Sequence, residues 1–308
     1  MRVAAIDVGT NSTRLLAAEE QADGFRSIDR RMIITRLGQG VGRTRLLDPE
    51  AVERTLRVIA DYAATCGELG IERLRVTGTS AVRDARNKEA FIEGVRRLTG
   101  QAPDVLSGEE EARATFLGVL SDLPPQGDVL VVDIGGGSTE LVVGAGTPSA
   151  MVSLDIGCVR MFEKYLASDP PSEDELLSLR HDVRSAVASV KDDLSAPPGA
   201  RMIGVAGTLS QLARLKTGSI VYDPDVTHHA VLSHGDVRRL ARRLESLPYE
   251  KRARVRGLEQ GRVDVIIAGA EILLEVMEAF DAAEVLVSEK DILDGLVLQL
   301  LEGSPTAS

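Results

Sequence analysis

Two similar α/β domains are what this sequence predicts, and three observations predict them. The stretch AAIDVGTNSTRLL near the start has an echo 126 residues later, VVDIGGGSTELV, with Asp, Gly, Ser, Thr and Leu in register. Each copy sits between short apolar runs, followed by a third run and then by helix and strand patterns in alternation. A chain of 308 residues is long for one core and comfortable for two.

In the first half the repeat is strand, turn, strand, and Phe25 to Thr35 reads as a third strand. Asp48 with Pro49 supplies an N-cap and first turn, after which Val52, Leu56, Ile59, Tyr62 and Ala63 share a face. A strand at Leu74 to Thr77 and a helix at Asn87 to Leu98 follow. Ser107 with Glu110 three residues on is a capping box, and Phe116, Val119, Leu120 and Leu123 continue that helix's apolar face. The linker LPPQGD, 123–128, ends it.

The second half repeats this order. Val129 to Val132 is a continuous apolar strand of the kind buried on both faces, with a third strand near Ala150 to Leu154. Ser172 and Glu175 form another capping box, ahead of Leu176, Leu179, Val183, Val187 and Val190. A strand at Met202 to Ala206 leads into GTLSQLARL, then come three helical stretches, a strand at Glu284 to Val287 and a last helix from about Asp291. The expected domains are 1–123 and 124–308, with the helix at about 291–302 packing back on the first and a cleft between the two.

Composition bounds the function. Hydrophobic residues make up 44% and charged residues 27%, which suits a globular enzyme. A net charge of -11, few aromatics and no Trp argue against a nucleic-acid binder. Two cysteines, Cys66 and Cys158, are too few for a disulfide framework or a zinc site. The chain shows neither a signal-peptide pattern nor an apolar run of membrane-spanning length, so a cytoplasmic enzyme with no membrane partner is expected. Local basic clusters do exist: Lys251, Arg252, Arg254, Arg256 and Arg262 lie against one acid, Glu259, with RRLARR upstream.

The repeated turns are neither a Walker A loop nor a dinucleotide fingerprint, because each leads into a strand and Glu140 stands where a third glycine would be. A turn of the form D-x-G-x-[NG]-S-T presents successive backbone N–H groups and hydroxyls, which suits phosphate oxygens. Carboxylates repel phosphate unless a cation lies between them. Asp7, Asp133 and Glu140 are therefore the expected ligands of Mg²⁺, a cation that takes oxygen donors and bridges carboxylates to phosphates. Arg14 stands in the first copy where Glu140 stands in the second, so the second copy is the one expected to hold metal or water. Hydrolysis also needs a residue that positions water. Glu109, Glu110 and Glu111 all open one helix, where acids are favoured by the helix dipole in any case, and the residues alone do not choose among them.

DVGTNSTRLL, GTSAVRDARN, SGEEEARATFLGV, VVDIGGGSTELVVG, AGTLSQLA and GRVDVIIAGAEIL through VSEKDILDG resemble, in order, the motifs of the exopolyphosphatase and guanosine pentaphosphate phosphohydrolase family. The resemblance spans essentially the whole chain. It implies two duplicated actin-like domains, of the superfold shared with sugar kinases and heat-shock chaperones. It also implies Mg²⁺-dependent removal of the terminal phosphate of inorganic polyphosphate. The alternatives it leaves are the 5′ γ-phosphate of pppGpp, an ATP-dependent kinase or ATPase, and a non-catalytic sensor. By the same resemblance the catalytic glutamate falls on Glu111 and the metal and water carboxylates on Asp133 and Glu140. Phosphate-loop roles fall on Gly9, Thr10, Asn11, Ser12, Gly135, Gly136, Gly137, Ser138 and Thr139, a phosphate-contacting arginine on Arg83, and the glycine-threonine turn on Gly207 and Thr208. Leu293 stands where many members have an arginine. A homodimer is expected, extending a basic channel past Arg254 and Arg256. No further helical domain follows in this sequence, and His228 and His229 are left as surface residues or phosphate contacts.

Overall fold

Strands β1 (Arg2–Val8), β2 (Ser12–Gln21) and β3 (Gly24–Ile34) form an antiparallel meander whose first turn is the first copy of the repeat. The computed structural model of the chain describes residues 1–123, 127–197 and 199–303, so residues 124–126 of the expected proline linker lie outside the described residues. The chain divides into two units, Met1–Leu123 with Lys290–Ser308 and Pro124–Glu289, which puts the last helix with the first unit.

In the first unit a short helix α1 (Val41–Thr44) precedes α2 (Pro49–Glu68), whose N-cap Asp48 accepts hydrogen bonds from the Glu50 and Ala51 amides. Strand β4 (Arg73–Gly78) runs parallel to β1 and leads directly into α3 (Ser80–Asp84), a helix the sequence pattern did not reveal. Helix α4 (Glu89–Thr99) starts two residues later than expected, and β5 (Asp104–Val105) pairs parallel with β4. Helix α5 (Gly108–Leu120) opens with the capping box of Ser107 and Glu110. Sheet order is β3-β2-β1-β4-β5. Alternation along β1 sends Ala4, Ile6 and Val8 to a core shared with Ile59, Tyr62 and Phe91, and sends Val3 and Ala5 to the opposite core.

In the second unit β6 (Val129–Ile134), β7 (Thr139–Ala145) and β8 (Thr147–Leu154) repeat the meander, β8 beginning earlier than expected. Helix α6 (Cys158–Tyr165) follows, then α7 (Glu173–Ala188) with its Ser172–Glu175 capping box, and α8 (Lys191–Leu194). Val190 lies beyond the end of α7. Strand β9 (Arg201–Val205) runs into α9 (Ala206–Thr217); α10 (Pro224–Thr227), β10 (Val231–Ser233), α11 (His234–Glu245), α12 (Tyr249–Arg252), α13 (Ile266–Ala279) and β11 (Glu284–Val287) complete the unit. The order β10-β11-β9-β6-β7-β8 reproduces the first sheet with one added edge strand, and β6, β9 and β11 are parallel as β1, β4 and β5 are. Every residue of β6 is buried, as its unbroken apolar run requires.

The chain then enters α14 (Ile292–Glu302), capped by Asp291. Ile292, Leu293, Leu296 and Val297 cover Val3, Ala5, Leu16 and Ala18 on the first sheet. Leu293 is thus a core residue in this chain.

Candidate active site

The two copies of the repeat close their turns with the same bond: the Gly9 amide donates to the Ser12 carbonyl at 2.9 Å, and the Gly135 amide to the Ser138 carbonyl at 3.0 Å. Further carbonyls of each turn are taken by the chain just after the third strand. In the first copy Asn11 O accepts from the Thr35 and Arg36 amides and Thr10 O from the Gly38 amide. In the second, Gly135 O accepts from the Cys158 amide, Gly136 O from the Val159 and Arg160 amides, and Gly137 O from Arg160 Nε at 2.6 Å. Sequence reasoning missed these supports. The only signal was the recurrence of a glycine soon after each third strand, Gly38 and Gly157. Gly157 is required by space, since a Cβ there would lie 2.5 Å from the backbone of Gly136 and Gly137. With these carbonyls engaged, turns of this kind can offer N–H groups to an anion.

The cross-strand registers decide what each copy carries. Asp7 lies opposite Arg14 and Asp133 opposite Glu140, and opposed residues of a ladder project from the same face. Asp7 Oδ2 accepts from Arg14 Nη2 at 2.7 Å and Nε at 3.2 Å, while its Oδ1 accepts from Thr77 at 3.3 Å. Arg14 also pairs with Asp291, the cap of α14. The charge of Asp7 is thus matched by an arginine fork inside the first unit. The second copy sets two buried carboxylates side by side, Asp133 at 7% and Glu140 at 1% exposure. Glu140 Oε1 accepts from Ser153 Oγ at 2.7 Å. Like charges directly opposite on a ladder are unfavourable, and a hard cation with oxygen ligands offsets them, so this donor set fits Mg²⁺.

Among the three glutamates that open α5, the structure separates roles. Glu109 and Glu110 are exposed, and Glu110 accepts from the Ser107 amide, which holds its carboxyl below the usual range. Glu111 is buried, with Oε2 accepting from Arg83 Nη1 at 3.2 Å. The same nitrogen donates to the Leu106 carbonyl at 2.9 Å, so Arg83 orients a carboxylate in addition to any phosphate contact. Thr10, Asn11 and Ser138 are buried in their turns, and the Asn11 Nδ2 amide is buried with no hydrogen-bond partner among the described residues. The Thr139 hydroxyl is fully buried and donates to the Ile156 carbonyl at 2.5 Å.

Gly207 and Thr208 open α9, where Ala206 takes a left-handed φ of 69°. Strain of this kind, of order 1–3 kcal/mol, concentrates at functional turns. The Arg262 guanidinium lies against Gly207, 2.1 Å from where a Cβ would stand. Burial pushes the nearby Cys158 thiol up to about 11, against the opposing charge of Arg262. The basic cluster divides: Arg252 and Arg262 are buried, Arg252 donating to the Val263 carbonyl and Arg262 to Glu259, whereas Lys251, Arg254 and Arg256 are exposed. His228 and His229 stack at 3.8 Å, and His228 Nδ1 accepts from the Glu289 amide.

A duplicated α/β fold of the actin-like class, bearing two like glycine-rich turns and a buried carboxylate pair, is an arrangement suited to a protein that handles phosphate. A sequence profile described as the Ppx/GppA phosphatase family matches residues 16–303, and the chain belongs to that family. It is 38% identical to "Exopolyphosphatase 2" of Mycobacterium tuberculosis, over 97% of this chain and 98% of that one. It is 28% identical to a "Guanosine-5'-triphosphate,3'-diphosphate pyrophosphatase" of Pseudoalteromonas atlantica, over 97% of this chain and 58% of that one. Among solved structures, the Aquifex aeolicus family member is 35% identical with a TM-score of 0.84, covering 99% of each chain. Among the described residues no helix is long and apolar enough to cross a membrane.

Proposed function

We propose that this chain is an exopolyphosphatase, hydrolysing the terminal phosphoric anhydride of inorganic polyphosphate. The observation that carries the reading is the Asp133–Glu140 carboxylate pair beside a glycine-rich turn, in the copy of the repeat where Glu140 stands in place of Arg14. Likeness along nearly the full length of a protein named exopolyphosphatase supports the substrate. The turns at Gly9–Ser12 and Gly135–Ser138 bind phosphate oxygens through backbone N–H groups and the Thr10, Ser12 and Ser138 hydroxyls. Gly207 and Thr208 add the amides of a helix N-terminus. Asp133 and Glu140 hold Mg²⁺, which when bound neutralises charge on the phosphate oxygens. Glu111, oriented by Arg83, accepts a proton from the attacking water; the water oxygen bonds to the terminal phosphorus, the bridging P–O bond breaks, and the shortened chain leaves with that electron pair.

The test is initial phosphate release with Mg²⁺ from polyphosphate, pppGpp and ATP, run for the wild type and Glu111→Gln. Release from polyphosphate that vanishes in the variant, with polyphosphate affinity retained, is the expected result; near-normal turnover in the variant removes Glu111 as the base. Release from pppGpp alone moves the substrate to the nucleotide, which the relatives named for that reaction make the second reading. A cytoplasmic homodimer belongs to the same proposal, and sedimentation of the purified chain tests its oligomeric part.

A further inference from the structure

The first turn makes a side-chain contact with an element far from it in sequence. Thr10 Oγ1 and Ser80 Oγ lie 2.7 Å apart, from elements 70 residues distant in sequence, and both residues are buried. A hydroxyl donates one hydrogen bond and accepts more. When two hydroxyls face each other, one spends its proton on the pair and the other keeps its own for a third group. The Thr10 side chain is fixed from its other side as well. A Cβ on Gly38 would stand 2.3 Å from the Thr10 methyl and 3.1 Å from Ala81 Cβ, so only glycine leaves room for this rotamer. The Thr10 carbonyl accepts from the Gly38 amide. Next in the chain is Asn11, with its unpartnered buried Nδ2.

Ser80 also opens α3. Three residues on, Arg83 holds Glu111 and the Leu106 carbonyl, and positions i and i+3 of a helix share a face. The helix is anchored at its start, where the Thr79 amide donates to Val8 O, the residue just before the turn. One five-residue helix therefore touches both the phosphate turn and the catalytic glutamate.

We propose that Ser80 is a positioning residue: its hydroxyl donates to Thr10 Oγ1, which turns the Thr10 proton toward a substrate phosphate oxygen, and α3 fixes that donor relative to the Arg83–Glu111 pair. This rests on the phosphate role proposed above for the first turn. It makes the Thr10 hydroxyl a pre-oriented donor, whereas an isolated hydroxyl would rotate among several acceptors.

The experiment is a double-mutant cycle of Ser80→Ala and Thr10→Val. Two readouts are used: kcat and KM for phosphate release from tripolyphosphate with Mg²⁺, and the tripolyphosphate Kd by calorimetry without metal. Each single change is expected to lower kcat/KM about tenfold, the scale of one hydrogen bond to a charged group. The double variant is expected to match Thr10→Val alone, because Ser80 acts through Thr10. Ser80→Thr, which keeps the hydroxyl, is expected to restore activity. Losses that multiply to about a hundredfold in the double variant, or a Ser80→Ala enzyme with wild-type constants, overturn the proposal. Ser80→Cys, a weak donor of similar size, gives the same reading if the alanine variant does not fold. A wild type that cleaves and binds tripolyphosphate while the cycle is additive removes the role of Ser80 alone; a wild type that does neither removes the phosphate role of the turn and the proposal with it.

Discussion

At the scale of single residues, one position separates the two halves of the molecule. Arg14 and Glu140 occupy equivalent places opposite equivalent aspartates, and that exchange sets two carboxylates where the first copy has an Asp–Arg ion pair. Glu140→Gln should therefore weaken Mg²⁺ binding, measured by calorimetry on the substrate-free protein, while phosphate release falls in parallel. Unchanged Mg²⁺ affinity would take the metal away from this pair. Asp7 reads as a ligand in the sequence because its motif matches that of Asp133. Only the tertiary structure shows that Asp7 shares the Arg14 fork, which is itself tied to Asp291.

Among the elements, α5 shows how local chemistry sets the side chain proposed as the base. The Ser107 hydroxyl accepts from the Glu110 amide while the Glu110 carboxylate accepts from the Ser107 amide, which fixes the first turn and with it the inward direction of Glu111. Ser107→Ala should cost about 1 kcal/mol of stability in urea unfolding, with a fall in kcat because Glu111 sits in the loosened turn. A drop in stability with no change in kcat would show that Arg83 alone holds the glutamate. This capping box was legible in the sequence as a Ser and a Glu at the right spacing. Helix α3 was not, because five residues are too few to display a period, and its function comes from what Ser80 and Arg83 touch.

At the scale of the whole molecule, pH sensitivity gathers away from the proposed chemistry, where α7, α11 and α13 of the second unit meet. Arg180 of α7 pairs with Glu245 of α11 and with Glu271 of α13, and Arg184 forks onto Glu275. Burial first, and the Glu271 carboxylate second, push Glu245 up to about 8 from its ordinary 4.5, with Arg180 opposing. Because the folded value lies above the unfolded one, this contribution to stability is fully present below about 4.5 and is lost as pH rises through about 8. The thermal midpoint should fall over that window, and Glu245→Gln, whose amide can donate to Glu271 at every pH, should flatten the fall. A variant with the wild-type slope would place the titration elsewhere.

The sequence by itself determined the duplication, the order of elements, the two turns and the family, since each depends on local spacing: apolar period, capping residues, glycine where backbone must approach backbone. It also narrowed the candidate base to three adjacent glutamates by residue type, and to Glu111 by the family resemblance. The tertiary structure decided the rest, because burial and pairing are properties of residues far apart in the chain. It turned Glu111 inward and left its neighbours in solvent, gave Asp7 to Arg14 and Thr139 to a backbone carbonyl, and placed Leu293 in a core. It also divided a run of basic residues into buried braces and exposed charges, a distinction that depends on which carbonyls and carboxylates the fold brings within reach.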